Sequence, residues 1–141
     1  MKSKEPAKVR VVIDSSVLVA ALLSESGGSA KIIELVLTGK LYNFYTTDIL
    51  GEVDNVLKRV KFNLEKEKRE HFLHIFRESS FLVTPLPEFK ITRCRDKEDD
   101  KFLSLALQVE ANYIVSLDKD LTELGEFKGV KIVNPGIFLK S

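Results

Sequence analysis

Tryptophan is missing from this chain, and cysteine, methionine and glutamine occur once each. The lone Cys94 excludes an internal disulfide and fits a reducing compartment, so the expected location is cytoplasmic. Seven glycines and four prolines among 141 residues form no linker, and 44% hydrophobic content is enough to bury a core. No apolar run approaches the ~20 residues of a membrane span, so no membrane partner is expected. Residues 1–8 are polar and basic without an apolar stretch, which excludes a signal peptide. They read as a flexible leader to one domain over 9–141. An excess of one charge is lacking as well, since 22 Lys and Arg face 21 Asp and Glu. A polyanionic partner therefore meets no global positive field and has to be held by local cations or through a metal. The few Gln, Met and Cys beside 30% charged residues lean toward a thermophile's composition.

What is present is an alternation of short apolar runs and helix-like stretches. Val9 to Ile13 reads as a buried strand, and Ser15 or Ser16 can cap a helix through Leu23. Gly27-Gly28 breaks it, and a helix restarting at Ser29 ends at Gly39. Tyr42 to Thr46 is a second strand. Thr47 or Asp48 caps a third helix, in which Ile49, Val53, Val56, Leu57 and Val60 recur at helical spacing. Leu64 to Ser79 is an amphipathic helix with Phe72, Leu73, Ile75 and Phe76 on its apolar side. Phe81 to Thr84 is a short strand, Glu98 to Glu110 a helix, and Tyr113 to Leu117 a strand. A short turn or helix at Leu121 to Leu124, a last strand at Val130 to Val133 and a final turn from Pro135 complete the reading. Strands alternating with helices predict an α/β fold, a three-layer α/β/α arrangement around a central, mostly parallel sheet.

The acidic residues fall at the junctions. Asp14 ends the first strand where a helix begins, and ligands of open α/β sheets bind outside that carboxyl edge. It can also serve simply as a helix cap. Asp118 follows the strand Tyr113 to Leu117 and so stands at the same edge, which makes Asp14 and Asp118 the pair that position alone supports. Glu52 lies beside the buried stripe of the third helix, where a glutamate is more often solvated. The run Arg95-Asp96-Lys97-Glu98-Asp99-Asp100 opens a helix, and the dipole and capping-box spacing can explain it without function. Mg²⁺ or Mn²⁺ takes hard oxygen ligands, and a set of carboxylates from separate elements suits such an ion.

Other candidates are weaker. His71 and His74 lie three apart on a helix without a third ligand and read as solvated. Cys94 has no neighbouring His to activate it, and Gly27-Gly28 lacks the spacing and lysine of a phosphate-binding loop. Lys58, Arg93 and Arg95 are the basic residues that could hold an RNA backbone, although Lys58 near a helix end also satisfies the dipole.

Taken in order, Val-Ile-Asp14-Ser-Ser-Val, Ile-Leu-Gly-Glu52-Val, the acidic run before Phe102-Leu103-Ser104-Leu105-Ala106, and Ile-Val-Ser116-Leu-Asp118-Lys-Asp120-Leu resemble the PIN domain ribonuclease family. The resemblance spans about Val9 to Leu139 and is nearest to the VapC-like toxins of toxin–antitoxin pairs. It implies a site of Asp14, Glu52, Asp99 and Asp118 that binds Mg²⁺ or Mn²⁺ and cleaves single-stranded RNA with a metal-activated water. Such cleavage leaves 5′-phosphate and 3′-hydroxyl ends. Asp96, Asp100, Ser116 and Asp120 match accessory positions. The resemblance further implies an antitoxin partner and a homodimer. Two rivals remain: a catalytically silent PIN-like RNA-binding subunit, and a receiver-type phosphoacceptor module. The second needs an acidic pair at the first strand and a lysine after the last, whereas Asp14 stands alone and Asn134-Pro135 follows Val133.

Overall fold

The computed structural model describes residues 8–24, 26–59, 65–92 and 97–141. The leader apart from Lys8, together with Cys94, Arg93, Arg95 and Asp96, lies outside the described residues.

Six strands form one sheet: β1 (Arg10–Ile13), β2 (Tyr42–Tyr45), β3 (Phe81–Leu82), β4 (Tyr113–Val115), β5 (Glu126–Phe127) and β6 (Val130–Val133). Their spatial order is β3-β2-β1-β4-β6-β5, all parallel except β5. The helices are α1 (Ser15–Leu23), α2 (Gly28–Leu37), α3 (Thr47–Leu57), α4 (Lys66–Glu78), α5 (Asp100–Gln108), α6 (Lys119–Thr122) and α7 (Pro135–Lys140), with short 3-10 turns at Pro87–Phe89 and Lys97–Asp99. This is the three-layer α/β/α architecture that the alternation predicts.

The β1 run shows why it is apolar on both sides. Val11 and Ile13 pack with Val17, Leu18, Ile32, Val36, Leu73, Phe76 and Phe138 on one face of the sheet. Val12, one residue out of phase, packs with Phe44, Phe102, Leu103, Ala106 and Ile114 on the other. Successive strand residues point to opposite faces, so a central strand between two helical layers has no solvent side to spare for polar residues.

Several boundaries differ from the sequence reading, each for a local reason. The cap of α3 is Thr46, whose Oγ1 accepts from the Ile49 N–H at 3.2 Å, rather than Thr47 or Asp48. The cap of α1 is Asp14 itself rather than Ser15 or Ser16. The carboxyl-terminal turn is a helix of six residues, capped by Asn134, with Phe138 buried edge-on against the Tyr113 ring at 5.1 Å. The β5–β6 hairpin has no counterpart in the sequence reading. Its two-residue turn, Lys128-Gly129, has positive φ at both positions (48° and 89°), the twist that suits a tight hairpin. Lysine is an unusual residue for the first of those positions, so the turn carries no Asn-Gly signature.

Strand order sets the place of the site. From β1 the chain moves outward through β2 to β3, and then returns to place β4 on the other side of β1. The crevice at such a reversal, outside the carboxyl ends of the two strands, is where ligands bind in sheets of this type. Asp14 and Ser116 are the first residues past the ends of β1 and β4.

Candidate active site

Asp14 is 5% exposed, and hydroxyls surround its carboxylate. Its backbone N–H donates to the Val115 carbonyl at 3.0 Å, which continues the β1–β4 ladder by one residue and pins Asp14 at the edge. Ser16 Oγ donates to Asp14 Oδ2 at 3.0 Å, and Ser116 Oγ donates to the same oxygen at 2.5 Å. Ser15 Oγ lies 3.2 Å from Asp14 Oδ1 and also within hydrogen-bond reach of Glu52 Oε1. A hydroxyl has one proton to give, so Ser15 lies between the two carboxylates as a single shared donor and marks them as neighbours.

The same hydroxyls fasten the loop after β4. Ser116, fully buried, accepts the Asp118 N–H on its Oγ at 2.9 Å while donating to Asp14. Ser16 Oγ accepts the Leu117 N–H at 3.2 Å. The Leu117 side chain is 48% exposed, so its bulk projects away from the pinned backbone. Asp118 itself caps α6, its Oδ1 accepting the Asp120 N–H at 2.9 Å, and Asp120 is exposed.

The third contribution comes from the start of α5. Asp99 and Asp100 are 6% and 8% exposed, an unusual depth for adjacent carboxylates. Asp99 occupies the cap position of α5 without a side-chain capping hydrogen bond, so capping does not explain its burial. Lys101, next in the chain, ties this end of α5 to α3. Its ammonium pairs with Glu52 Oε2 and lies 3.4 Å from Glu98 and 4.0 Å from Asp48. Burial is the largest single influence on the Lys101 pKa and pulls it down. The hydrogen bond and charge of Glu52, then Asp48 and Glu98, together outweigh burial and leave the pKa raised above the ordinary lysine value.

Asp14, Ser15, Glu52, Lys101, Ser116 and Asp118 thus form one connected network, with Asp99 and Asp100 at the helix start beside it. In kind, the donor set fits a hard divalent cation: carboxylate oxygens from the ends of β1 and β4, from α3 and from the start of α5. Among the described residues, no three acidic, histidine or cysteine side chains stand in a metal-holding group as placed. Serine hydroxyls bond both oxygens of Asp14, and the Lys101 ammonium pairs with Glu52.

Other candidates lie elsewhere. Lys58 sits at the far end of α3 in a polar groove of about 710 Å³ against α4, paired with Asp54 at 3.0 Å. His71 and His74 are exposed on α4. A second cleft, of about 780 Å³, is lined by Asp48, Asp100 and Lys101 together with apolar residues such as Pro85, Leu86 and Ile91. Lys101 and the bridging role of Ser15 are absent from the sequence reading. Only the 98–101 spacing hints at Lys101, and the contact with Glu52 crosses 49 residues.

The PIN domain profile matches residues 10–120. The uncharacterized protein MJ1680 of Methanocaldococcus jannaschii is 33% identical over 138 residues, covering 95% of this chain and 87% of the relative. The crystal structure of VapC20 from Mycobacterium tuberculosis, a sarcin–ricin loop cleaving toxin, superposes with a TM-score of 0.59 at 14% identity, covering 86% of this chain and 98% of that one. PAE2754 from Pyrobaculum aerophilum superposes with a TM-score of 0.58 at 16% identity, covering 94% and 93%. At such identities the structural likeness is one of fold.

Proposed function

The chain belongs to the PIN domain family, and from that membership we propose that it is a Mg²⁺- or Mn²⁺-dependent endonuclease of single-stranded RNA. The observation that carries this reading is the network centred on Asp14, in which Ser15 joins it to Glu52 and Ser116 joins it to the Asp118 loop. Asp14, Glu52, Asp99 and Asp118 are the residues that would hold the cation, with Asp96, Asp100 and Asp120 as accessory acids. When bound, such a cation lowers the pKa of a water and offsets the charge on a phosphodiester.

The protein's own residues do the rest. Ser116 and Ser16 hold Asp14 in one orientation, so a ligand carboxylate is presented without the cost of ordering it. The buried layer beneath Asp14, Asp99 and Asp100 keeps the acids on rigid elements. The cleft lined by Asp48, Asp100 and Lys101 is the groove that would take an RNA strand. With a formal net charge of +1, affinity rests on the cation and on local groups such as Lys90, Arg93 and Arg95.

The proposal extends to biology by the shared fold with a toxin. It makes this chain a cytoplasmic, homodimeric toxin held in check by an antitoxin protein. The direct test is Mn²⁺-dependent cleavage of single-stranded RNA by the wild type and by Asp14→Asn. Cleavage by the wild type alone supports the proposal, while equal rates, or none with any divalent ion, refute it. Growth arrest on expression, relieved by the product of an adjacent small gene, separates a toxin from an RNA-processing enzyme.

A further inference from the structure

We infer that Lys101 is a built-in counter-cation of the acid site, a positioning residue that neutralises Glu52 and competes with a divalent cation for it. The inference rests on the metal-dependent reading above. Three observations carry it. First, Lys101 contacts acids from two separate elements: Glu52 and Asp48 on α3, and Glu98 just before α5. A lysine that merely decorates a helix pairs with a neighbour three or four residues away, as Lys101 does with Glu98; the Glu52 contact is tertiary. Second, the Lys101 side chain is only 17% exposed although lysine usually keeps its head in water. Its burial therefore depends on the acids around it. Third, Glu52 is shared: one oxygen faces Lys101 and the other faces Ser15, which also bonds Asp14. The ammonium thus acts on Asp14 through two intermediaries.

Two consequences follow from the charge. Without Lys101, Glu52, Asp48 and Glu98 repel one another at close quarters and Glu52 loses the partner that fixes its rotamer. The cation-free fold then becomes less stable. The same loss removes a positive charge beside a metal ligand and frees one of its oxygens, so a divalent cation binds more tightly. Unit charges a few ångström apart near a protein surface interact by an amount that corresponds to roughly tenfold in affinity or more. A residue with a purely structural role predicts the reverse for metal, since loosening a site weakens binding.

The experiment is calorimetric titration of Mn²⁺ into the wild type, Lys101→Met, Lys101→Arg and Lys140→Met, with melting temperatures measured with and without saturating Mn²⁺. Lys101→Met is expected to bind Mn²⁺ roughly tenfold more tightly than the wild type. Its melting temperature should be lower than wild type without cation, and the gap should close when Mn²⁺ is saturating. Lys101→Arg should restore the cation-free melting temperature, and Lys140→Met should match the wild type. A Lys101→Met protein that binds Mn²⁺ with unchanged or weaker affinity, while the wild type binds, overturns the inference and leaves the metal-dependent reading standing. A wild type that binds neither Mn²⁺ nor Mg²⁺ overturns that reading, and the competition with it.

Discussion

Ser116 and Asp14, 102 residues apart in the chain, meet through a 2.5 Å hydrogen bond in which the serine hydroxyl donates to the carboxylate. The same hydroxyl oxygen accepts the Asp118 N–H. One buried side chain therefore sets the orientation of one acid and the backbone position of another. Ser116→Ala takes the acceptor from the part-buried Asp118 N–H and removes one of the two serine hydroxyls on Asp14 Oδ2. It should destabilise the fold by about 1–2 kcal/mol in denaturant titration. Cleavage of RNA should fall roughly tenfold to a hundredfold, the usual effect of removing a group that orients a metal ligand. A stable but fully active variant would contradict this assignment.

Asp14→Asn separates folding from chemistry. Asparagine caps a helix about as well as aspartate, but its one amide oxygen cannot replace both carboxylate oxygens toward Ser15, Ser16 and Ser116, so the variant should fold with a modestly lower melting temperature. It lacks the charge a divalent cation needs. Cleavage of a labelled single-stranded RNA with Mn²⁺ should drop more than about a hundredfold, beyond the effect expected at Ser116. The wild-type products should carry 5′-phosphate and 3′-hydroxyl ends, readable by their response to a phosphatase and a ligase.

Asp99 and Asp100 are both buried, and burial does not choose between them. The proposed site uses Asp99, so Asp99→Asn should reduce Mn²⁺ affinity and cleavage more than Asp100→Asn. The opposite order in titration and cleavage would move the ligand one residue along the chain.

Divalent cation should also act on stability by mass action. At a hundredfold excess over its dissociation constant, Mn²⁺ is expected to stabilise the protein by about 2.7 kcal/mol, a shift of several degrees in the melting temperature. Asp118→Asn should shrink that shift, and His71→Ala, on exposed α4, should leave it intact. A chelator should reverse it in the wild type.

Away from the site, Lys128 holds φ at 48° in the β5–β6 turn. A left-handed conformation costs an ordinary L-residue about 1–2 kcal/mol, and asparagine tolerates it better. Lys128→Asn is expected to raise stability by roughly 0.5–1 kcal/mol with no change in Mn²⁺ binding.

These particulars also show how much the sequence discloses. Strands such as β1 and β4 are legible because a strand buried on both faces must be apolar throughout, and acids that end such strands stand out. Asp14 and Asp118 are conspicuous for that reason. Glu52 is not, because a glutamate beside a buried stripe looks the same whether it faces water or a neighbouring strand end. Only tertiary structure decides: the packing of α1 on α3 brings Ser15 to Glu52, and the start of α5 brings Lys101. Lys101 is illegible for the same reason: local spacing accounts for its bond to Glu98 and says nothing of Glu52. The β5–β6 hairpin escapes notice because Lys-Gly is a poor advertisement for a turn that needs positive φ twice. Asp14 shows the converse case, since it caps α1 with the same carboxylate that the proposed site would use.

Strand order has a consequence for synthesis. β4 is central to the sheet, yet it is made late: Asp14 meets Glu52 through Ser15, but Ser116, which joins Asp14 to the Asp118 loop, and Lys101, which pairs with Glu52, both come from beyond residue 97. A growing chain that has exposed β1, β2 and α3 already carries Asp14 and Glu52, but lacks the hydroxyl that orients the first and the ammonium that restrains the second. If the chain cuts RNA as proposed, a nascent copy cannot do so until translation has passed Asp118. Topology thus places the assembly of this edge of the sheet after the synthesis of β4.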